Sequence, residues 1–425
     1  MPINRRQFIK RSAGMVSLSL LMPNLLLTNA RAQSGSSRRI FVVIQFNGGN
    51  DGLNTLVPYT NSSYHSMRPM ISFRDTELKD AAGNSTIISS DFGLNPALSE
   101  IKSLYDEGKV AFVNGVGYPN PNLSHFESED IWYTASPENP SGLGWLGRYA
   151  DQKLAGQTGL VGAALDNSLP KALYADDVVV PSISNFNNYT FRTDNRFRND
   201  RTNKLNTLKA SNTRAFDAGS LLESIANIGD DAVEGAQLVQ DSIAGYTSPV
   251  TYPAQNNLAS AMRMAAQLIT TLPQVNLLYV RMGGFDNHSA QIAAEGGQPN
   301  KLAGAHFNLL RNFSSAVKAF YDDMAAHGLA DNVVMMQWSE FGRRPNENAS
   351  MGTDHGTASI MTVIGNPVQG GLYGELPSLA DLDRAGNMNF TVDFRAVYGT
   401  ILDRWLQADS SAILGGQFEN VGFLG

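Results

Sequence analysis

The stretch from Trp338 to Ser359 includes two carboxylates, a guanidinium and an imidazole of particular interest. They are Glu340, Arg343, Asp354 and His355, punctuated by Gly342, Gly352 and Gly356. Three further groups of similar chemistry lie upstream: Asp51 in Asn47-Gly-Gly-Asn-Asp-Gly52, the pair Ser124-His125, and Asp286-Asn-His288. Carboxylates and neutral imidazoles are ligands of Zn²⁺ and Mn²⁺, and oxygen donors alone serve Mg²⁺ or Ca²⁺. Asp51, Asp286, His288, Glu340, Asp354 and His355 are therefore candidate ligands for one or two divalent ions. Ser124, His125 and Arg343 are candidates for the reacting groups. A serine at a helix start can attack when a metal lowers its pKa, with free amides nearby to hold an oxyanion. His125 beside it could be a ligand, a proton carrier or a packed neighbour. Arg343 could grip a phosphate or sulfate with two parallel hydrogen bonds.

Each residue also has a plainer reading. Asn-Asp-Gly is a common turn in which Asp bonds its own backbone. Ser124-His-Phe-Glu127 fits the S-x-x-E capping box, which alone would explain Ser124. Asp286-Asn-His288 and Asp354-His355-Gly356 could be turns, and Arg343 could sit in a surface ion pair worth little. The remaining histidines, His65, His306 and His327, read as ordinary surface or core residues.

These groups fall where buried strands end or helices begin. Apolar runs predict strands at 38–46, 110–114, 275–280, 333–338 and 360–364. Helical periodicity predicts helices at 95–107, 124–132, 218–244, 255–271, 303–327 and 391–406. Alternating strands and helices imply an α/β fold with a mostly parallel sheet. In such a sheet the carboxyl ends of the strands share one edge, so separated clusters can meet. Residues 182–215 are polar and weakly periodic. The region from about 160 to 272 is expected to be an insertion within a single domain spanning 38–425.

Asn4-Arg5-Arg6-Gln7-Phe8-Ile9-Lys10, an apolar stretch from Ala13 to Leu27, and Ala30-Arg31-Ala32 together predict a twin-arginine signal peptide over residues 1–32. The expected partner is the twin-arginine export machinery, and the expected location is the periplasm or the cell surface of a bacterium. Loss of that segment removes five basic residues and leaves 27 Lys and Arg against 39 Asp and Glu, a net charge of −12. Such a balance argues against nucleic-acid binding. The absence of cysteine excludes disulfides and thiolate chemistry. No apolar run in the mature chain is long enough to span a membrane.

Phe46-Asn-Gly-Gly-Asn-Asp-Gly-Leu-Asn-Thr-Leu-Val-Pro58, Ser124-His-Phe126, Gly283-Gly-Phe-Asp-Asn-His288, Ser339-Glu-Phe-Gly-Arg343 and Gly352-Thr-Asp-His-Gly356 occur in an order that resembles the exported family known as domain of unknown function 1501. The resemblance covers essentially the whole mature chain. More remotely, the order is similar to the alkaline phosphatase and sulfatase superfamily. That likeness implies a three-layer α/β sandwich with an inserted cap, Asp51 after the first strand, Ser124 as nucleophile, and ligands at Asp286, His288, Glu340, Asp354 and His355. It departs at Phe341, where an imidazole would be expected. The function implied is metal-dependent hydrolysis of phosphate or sulfate esters, small or polysaccharide. Phe341 favours a second reading, a secreted binding protein without turnover, and a third keeps the metal as a structural staple.

Overall fold

The computed structural model describes residues 38–189, 200–214, 216, 217 and 220–425. The signal peptide expected over residues 1–32 lies outside them, as does part of the polar stretch 182–215. Eight strands form one sheet. They are β1 (Ile40–Asn47), β2 (Val110–Gly117), β3 (Gly162–Ala164), β4 (Leu277–Gly283), β5 (Val333–Ser339), β6 (Ser359–Ile364), β7 (Gly371–Tyr373) and β8 (Val392–Asp393). The order is β7-β2-β6-β5-β1-β4-β3, with β8 also pairing β2. All pairings are parallel except those of β6, which runs antiparallel to both β2 and β5.

The longer helices are α1 (Ser99–Asp106), α2 (His125–Thr134), α3 (Trp145–Lys153), α4 (Asp200–Asn212), α5 (Leu221–Gly245), α6 (Asn257–Thr271), α7 (Ala305–Ala326) and α8 (Phe394–Thr400). Side chains of a strand alternate between faces, and a strand covered on both sides reads as a continuous apolar run. In β1, Ile40, Val42, Ile44 and Phe46 join α1, α6 and α7 in one core. Phe41 and Val43 join α2, α3 and α8 in the other. The result is three layers. Trp132 of α2 stacks on Trp338 of β5 at 5.0 Å between ring centres, which fixes α2 against the sheet.

The sheet reaches further into the sequence than periodicity predicts. β3 and α6 lie within the stretch 160–272 expected to be an insertion, yet β3 pairs with β4 and α6 buries Leu258, Met262, Leu268 and Ile269 in the core. Gly162-Ala-Ala164 is too short and too small to stand out as a strand. The expected helix 391–406 stops at Thr400 and continues as one wider turn, Ile401–Trp405. Among the described residues no helix is long and apolar enough to cross a membrane.

Register brings the strand ends together. Asn47 lies opposite Gly283, and Phe46 opposite Ser339. β2 and β5 both oppose β6, so β2 ends at the same edge and delivers the loop that starts α2. The edge is tightly drawn. A Cβ on Gly48, whose φ is +125°, would stand 2.4 Å from the Asp286 amide nitrogen.

Candidate metal centre

His125 opens α2, and its Nδ1 lies 2.8 Å from Oε1 of Glu340. Glu340 follows β5 directly and is fully buried. Its Oε1 also accepts the Gly48 amide at 2.8 Å, and its Oε2 accepts the Ser339 hydroxyl at 3.0 Å. A carboxylate only accepts, so the His125 Nδ1 carries the hydrogen and Nε2 is left with a lone pair. His355 ends a short ribbon in which Arg343 pairs with His355. Its Nδ1 lies 2.9 Å from the Leu123 carbonyl, which again can only accept. His288 repeats the pattern, with Nδ1 3.1 Å from Oδ1 of Asp354.

The three Nε2 atoms then face one carboxylate. Those of His355 and His288 lie 3.0 and 3.1 Å from Oδ1 of Asp286, and that of His125 lies 3.6 Å from Oδ2. The His288 and His355 Nε2 atoms are 3.0 Å apart. Two imidazole lone pairs at that distance, beside a carboxylate, repel unless a cation or an extra proton lies among them. Imidazoles fixed through Nδ1 by carboxylates and carbonyls are the arrangement that holds metal-ligating histidines in place. Donor atoms of His125, Asp286 and His355 all lie within 4.8 Å of one another, close enough for one ion, and His288 adjoins them. The donor set fits a divalent metal.

The neighbouring charges also shift the ionisation of the cluster. Partial burial would raise the Asp286 carboxyl, but the hydrogen bond from Arg343 and the proximity of His355 outweigh it and hold the group at about 2. The Glu340 hydrogen bond raises His125 above the usual imidazole value, against the effect of burial. Asp354 is lowered by its hydrogen bonds from His288 and Asn348. The cluster also faces solvent: Asp286 is 48 % exposed and His288 46 %. Structural zinc sites are closed, whereas catalytic ones keep an open position.

Other expected site residues are placed differently. Asp51 is 2 % exposed and its two oxygens take a hydrogen-bonded ion pair from the fully buried Arg68, at 2.9 and 2.7 Å. Gln291 adds a bond at 2.5 Å to Oδ2. Asp51 thus holds the loop after β1 and does not join the imidazole cluster. Glu340 and Asp354 orient His125 and His288 from behind. Arg343 is 1 % exposed. It donates to the carbonyls of Gly48, Gly49, Phe285 and Thr353 and to Asp286 Oδ1, the last at 2.7 Å. A guanidinium so buried and so occupied cannot reach an ester. Ser124 is the exposed N-cap of α2, yet its hydroxyl makes no capping bond, so the capping box does not form. Phe341 is buried, and its ring packs at 4.9 Å on His125 and 4.6 Å on His355. It acts as a wall that fixes both imidazoles.

Sequence reading missed Arg68, the Leu123 carbonyl and Glu129. The Oε1 of Glu129 accepts from Gln45 at 3.0 Å and from Asn47. Burial first, and then the charge of Glu340, raise this carboxyl to about 7. Its spacing of four from His125 is the only signal the sequence offered.

Several solved structures are similar to this chain. A sulfatase from Pseudoalteromonas sp. is 11 % identical, with 100 % of this chain and 77 % of that chain covered and a TM-score of 0.39. A phosphonate monoester hydrolase of Agrobacterium radiobacter is 10 % identical, with 89 % and 78 % covered and a TM-score of 0.35. A protein in the alkaline phosphatase superfamily from Vibrio parahaemolyticus is 10 % identical, with 88 % and 71 % covered and a TM-score of 0.33. No curated protein matches the sequence significantly. The chain belongs to the family described as a protein of unknown function (DUF1501), whose sequence model matches residues 38–413.

Proposed function

We propose that this DUF1501 chain is a metal-dependent hydrolase of phosphate or sulfate esters with a single-ion centre. The observation that carries the reading is the convergence of three imidazole Nε2 atoms, each fixed through Nδ1, on the solvent-open Asp286 carboxylate. His125, His355 and Asp286 would hold the ion, with His288 as a further ligand. Three nitrogens and one carboxylate suit zinc or manganese better than magnesium or calcium, which prefer oxygen. Arg343 supports one ion over two. Its buried guanidinium already takes Asp286 Oδ1 and puts a fixed positive charge beside the cluster. A bound divalent ion would polarise the ester and lower the pKa of a hydroxyl or water near it.

The chain's own groups supply the rest. The first amides of α2 have no partner within the helix and no capping side chain, so they can hold the non-reacting oxygens of a phosphate or sulfate. Ser124, exposed at that same N-terminus and next to His125, is the attacking hydroxyl. Phe341 and Glu340 keep His125 still during the reaction. Openness of the cluster favours turnover over a structural staple.

Ser124→Ala separates its two readings. Loss of a helix cap typically costs ~1 kcal/mol. The Ser124 hydroxyl caps nothing, so the change should stay within about 0.5 kcal/mol, as at other exposed sites. Hydrolysis of a panel of aryl phosphates and sulfates should fall to background. Unchanged turnover would leave attack to water and remove Ser124 from the mechanism.

Export by the twin-arginine machinery, to the periplasm or cell surface, belongs to the same proposal and rests on residues 4–10 and 30–32. N-terminal sequencing of the mature protein should begin close after Ala32. A mature chain that retains Arg5 and Arg6 would refute it.

A further inference from the structure

We propose that Glu129 is the proton-transfer residue of this site, donating to the leaving oxygen of the ester and later taking a proton from the attacking water. The inference rests on the hydrolase reading above. Its ground is placement. His125 and Glu129 stand four residues apart on α2 and so share a face of that helix. Oε1 of Glu129 is held by Asn47 and Gln45, at the carboxyl end of β1. The next residue, Gly48, donates its amide to the same Glu340 oxygen that orients His125. Glu129 is therefore one residue of backbone away from the support of the metal centre. Among the described residues none donates a hydrogen bond to its Oε2, although the residue is half-buried. One oxygen is anchored, and the other is the one that would carry a proton.

The surroundings suit that task. The charged groups bearing on Glu129 are Glu340 at the end of β5, Arg281 of β4 and His125 of α2. Tyr133, one turn further along α2, lies in the same group. Arg281 is tied to Asp166 and Ser168, which tempers its pull on Glu129. Burial and the Glu340 charge bring the carboxyl to about 7, where it can both give and take a proton.

The proton balance closes over two steps. In the first, a bond forms from the Ser124 oxygen to phosphorus or sulfur, and the Ser124 proton passes to solvent. The ester bond breaks, and the leaving oxygen takes the Glu129 proton and departs as an alcohol. In the second, water bonds to phosphorus or sulfur while Glu129 takes one of its protons. The Ser124 bond breaks and its oxygen regains a proton from solvent. One water is consumed, and Glu129 ends protonated, as it began.

The test uses the full chain and the Glu129→Gln variant, whose amide carbonyl still accepts from Asn47 and Gln45. Carbon-13 NMR of chain labelled at the glutamate carboxyls is followed against pH, with and without zinc. One resonance should titrate near neutrality and vanish in Glu129→Gln. The second measurement compares esters of increasingly poor leaving groups. Glu129→Gln should lose ~10²-fold or more in kcat/KM on alkyl esters and far less on nitrophenyl esters, which leave without a proton. A glutamate set that titrates only in the acidic range overturns the proposal. So does a loss that is absent or equal across the series, since a merely structural role would not depend on the leaving group. A wild-type chain that hydrolyses no ester removes the hydrolase reading and Glu129's role with it. An active wild type with an indifferent variant removes Glu129 alone.

Discussion

An Asp286→Ala chain should purify without stoichiometric metal, whereas the unaltered chain should carry one ion. Asp286 is the point on which all three imidazoles converge. Structural zinc binds with roughly 10–16 kcal/mol shared over four ligands. One ligand is thus worth about 3 kcal/mol, or about a hundredfold in affinity. Turnover should fall by at least the same factor at limiting metal. The alanine chain also loses the partner of a buried guanidinium. Asp286→Asn isolates the two effects, because its amide oxygen still accepts from Arg343 but binds metal poorly. Elemental analysis after dialysis and thermal unfolding with and without chelator measure both. Metal retained at one per chain in Asp286→Ala would displace the centre from these residues.

Acid should strip the metal through the imidazoles. Asp286, held at about 2, stays ionised long after His125 protonates. In the metal-free chain His125 is raised by Glu340, so a proton competes for its site at a higher pH than for an ordinary imidazole.

Arg343→Ala is the substitution expected to cost most stability. The guanidinium joins the loop after β1, the loop after β4 and the ribbon that carries His355, through four carbonyls and Asp286. Removing one member of a buried charged pair costs about 3–5 kcal/mol. Here, buried carbonyls are left without donors as well. Arg343→Lys should recover little, since one ammonium cannot reach five acceptors in a plane. Urea unfolding of metal-free protein is the appropriate measurement, because it excludes stabilisation by metal. A midpoint unchanged in Arg343→Ala would mean that the loops hold without it.

The Arg343 expectation differs from what the sequence suggests for that residue, and the reason is physical. Five strands were readable because continuous apolar runs mark a sheet covered on both faces. Asp286, His288 and His355 were readable as candidates for one cluster because their types and Gly-rich settings survive without knowledge of depth. Depth decides the others. Arg343 in a polar loop reads as an exposed anion grip, yet it is buried. Asp51 reads as a ligand until Arg68 arrives from a stretch with no periodicity to announce its burial. Glu340 and Asp354 have the right chemistry one layer out, and sequence cannot tell a ligand from the group behind it. Glu129 looks like any glutamate on an amphipathic helix. Phe341, which sequence comparison marks as a missing imidazole, is a packing element whose value depends on two rings distant in the chain.

The span of those contacts has a consequence for the life history of each molecule. His355 takes its orientation from Leu123, 232 residues earlier in the chain. Arg343 closes on Gly48 across 295 residues. No short fragment contains all of these residues, and chains rich in such long-range closures fold slowly. A growing chain could not capture an ion at this centre until the ribbon at 353–355 had been made and docked. Clipped or half-folded molecules would stay empty, so the metal content of a preparation would count its completed molecules.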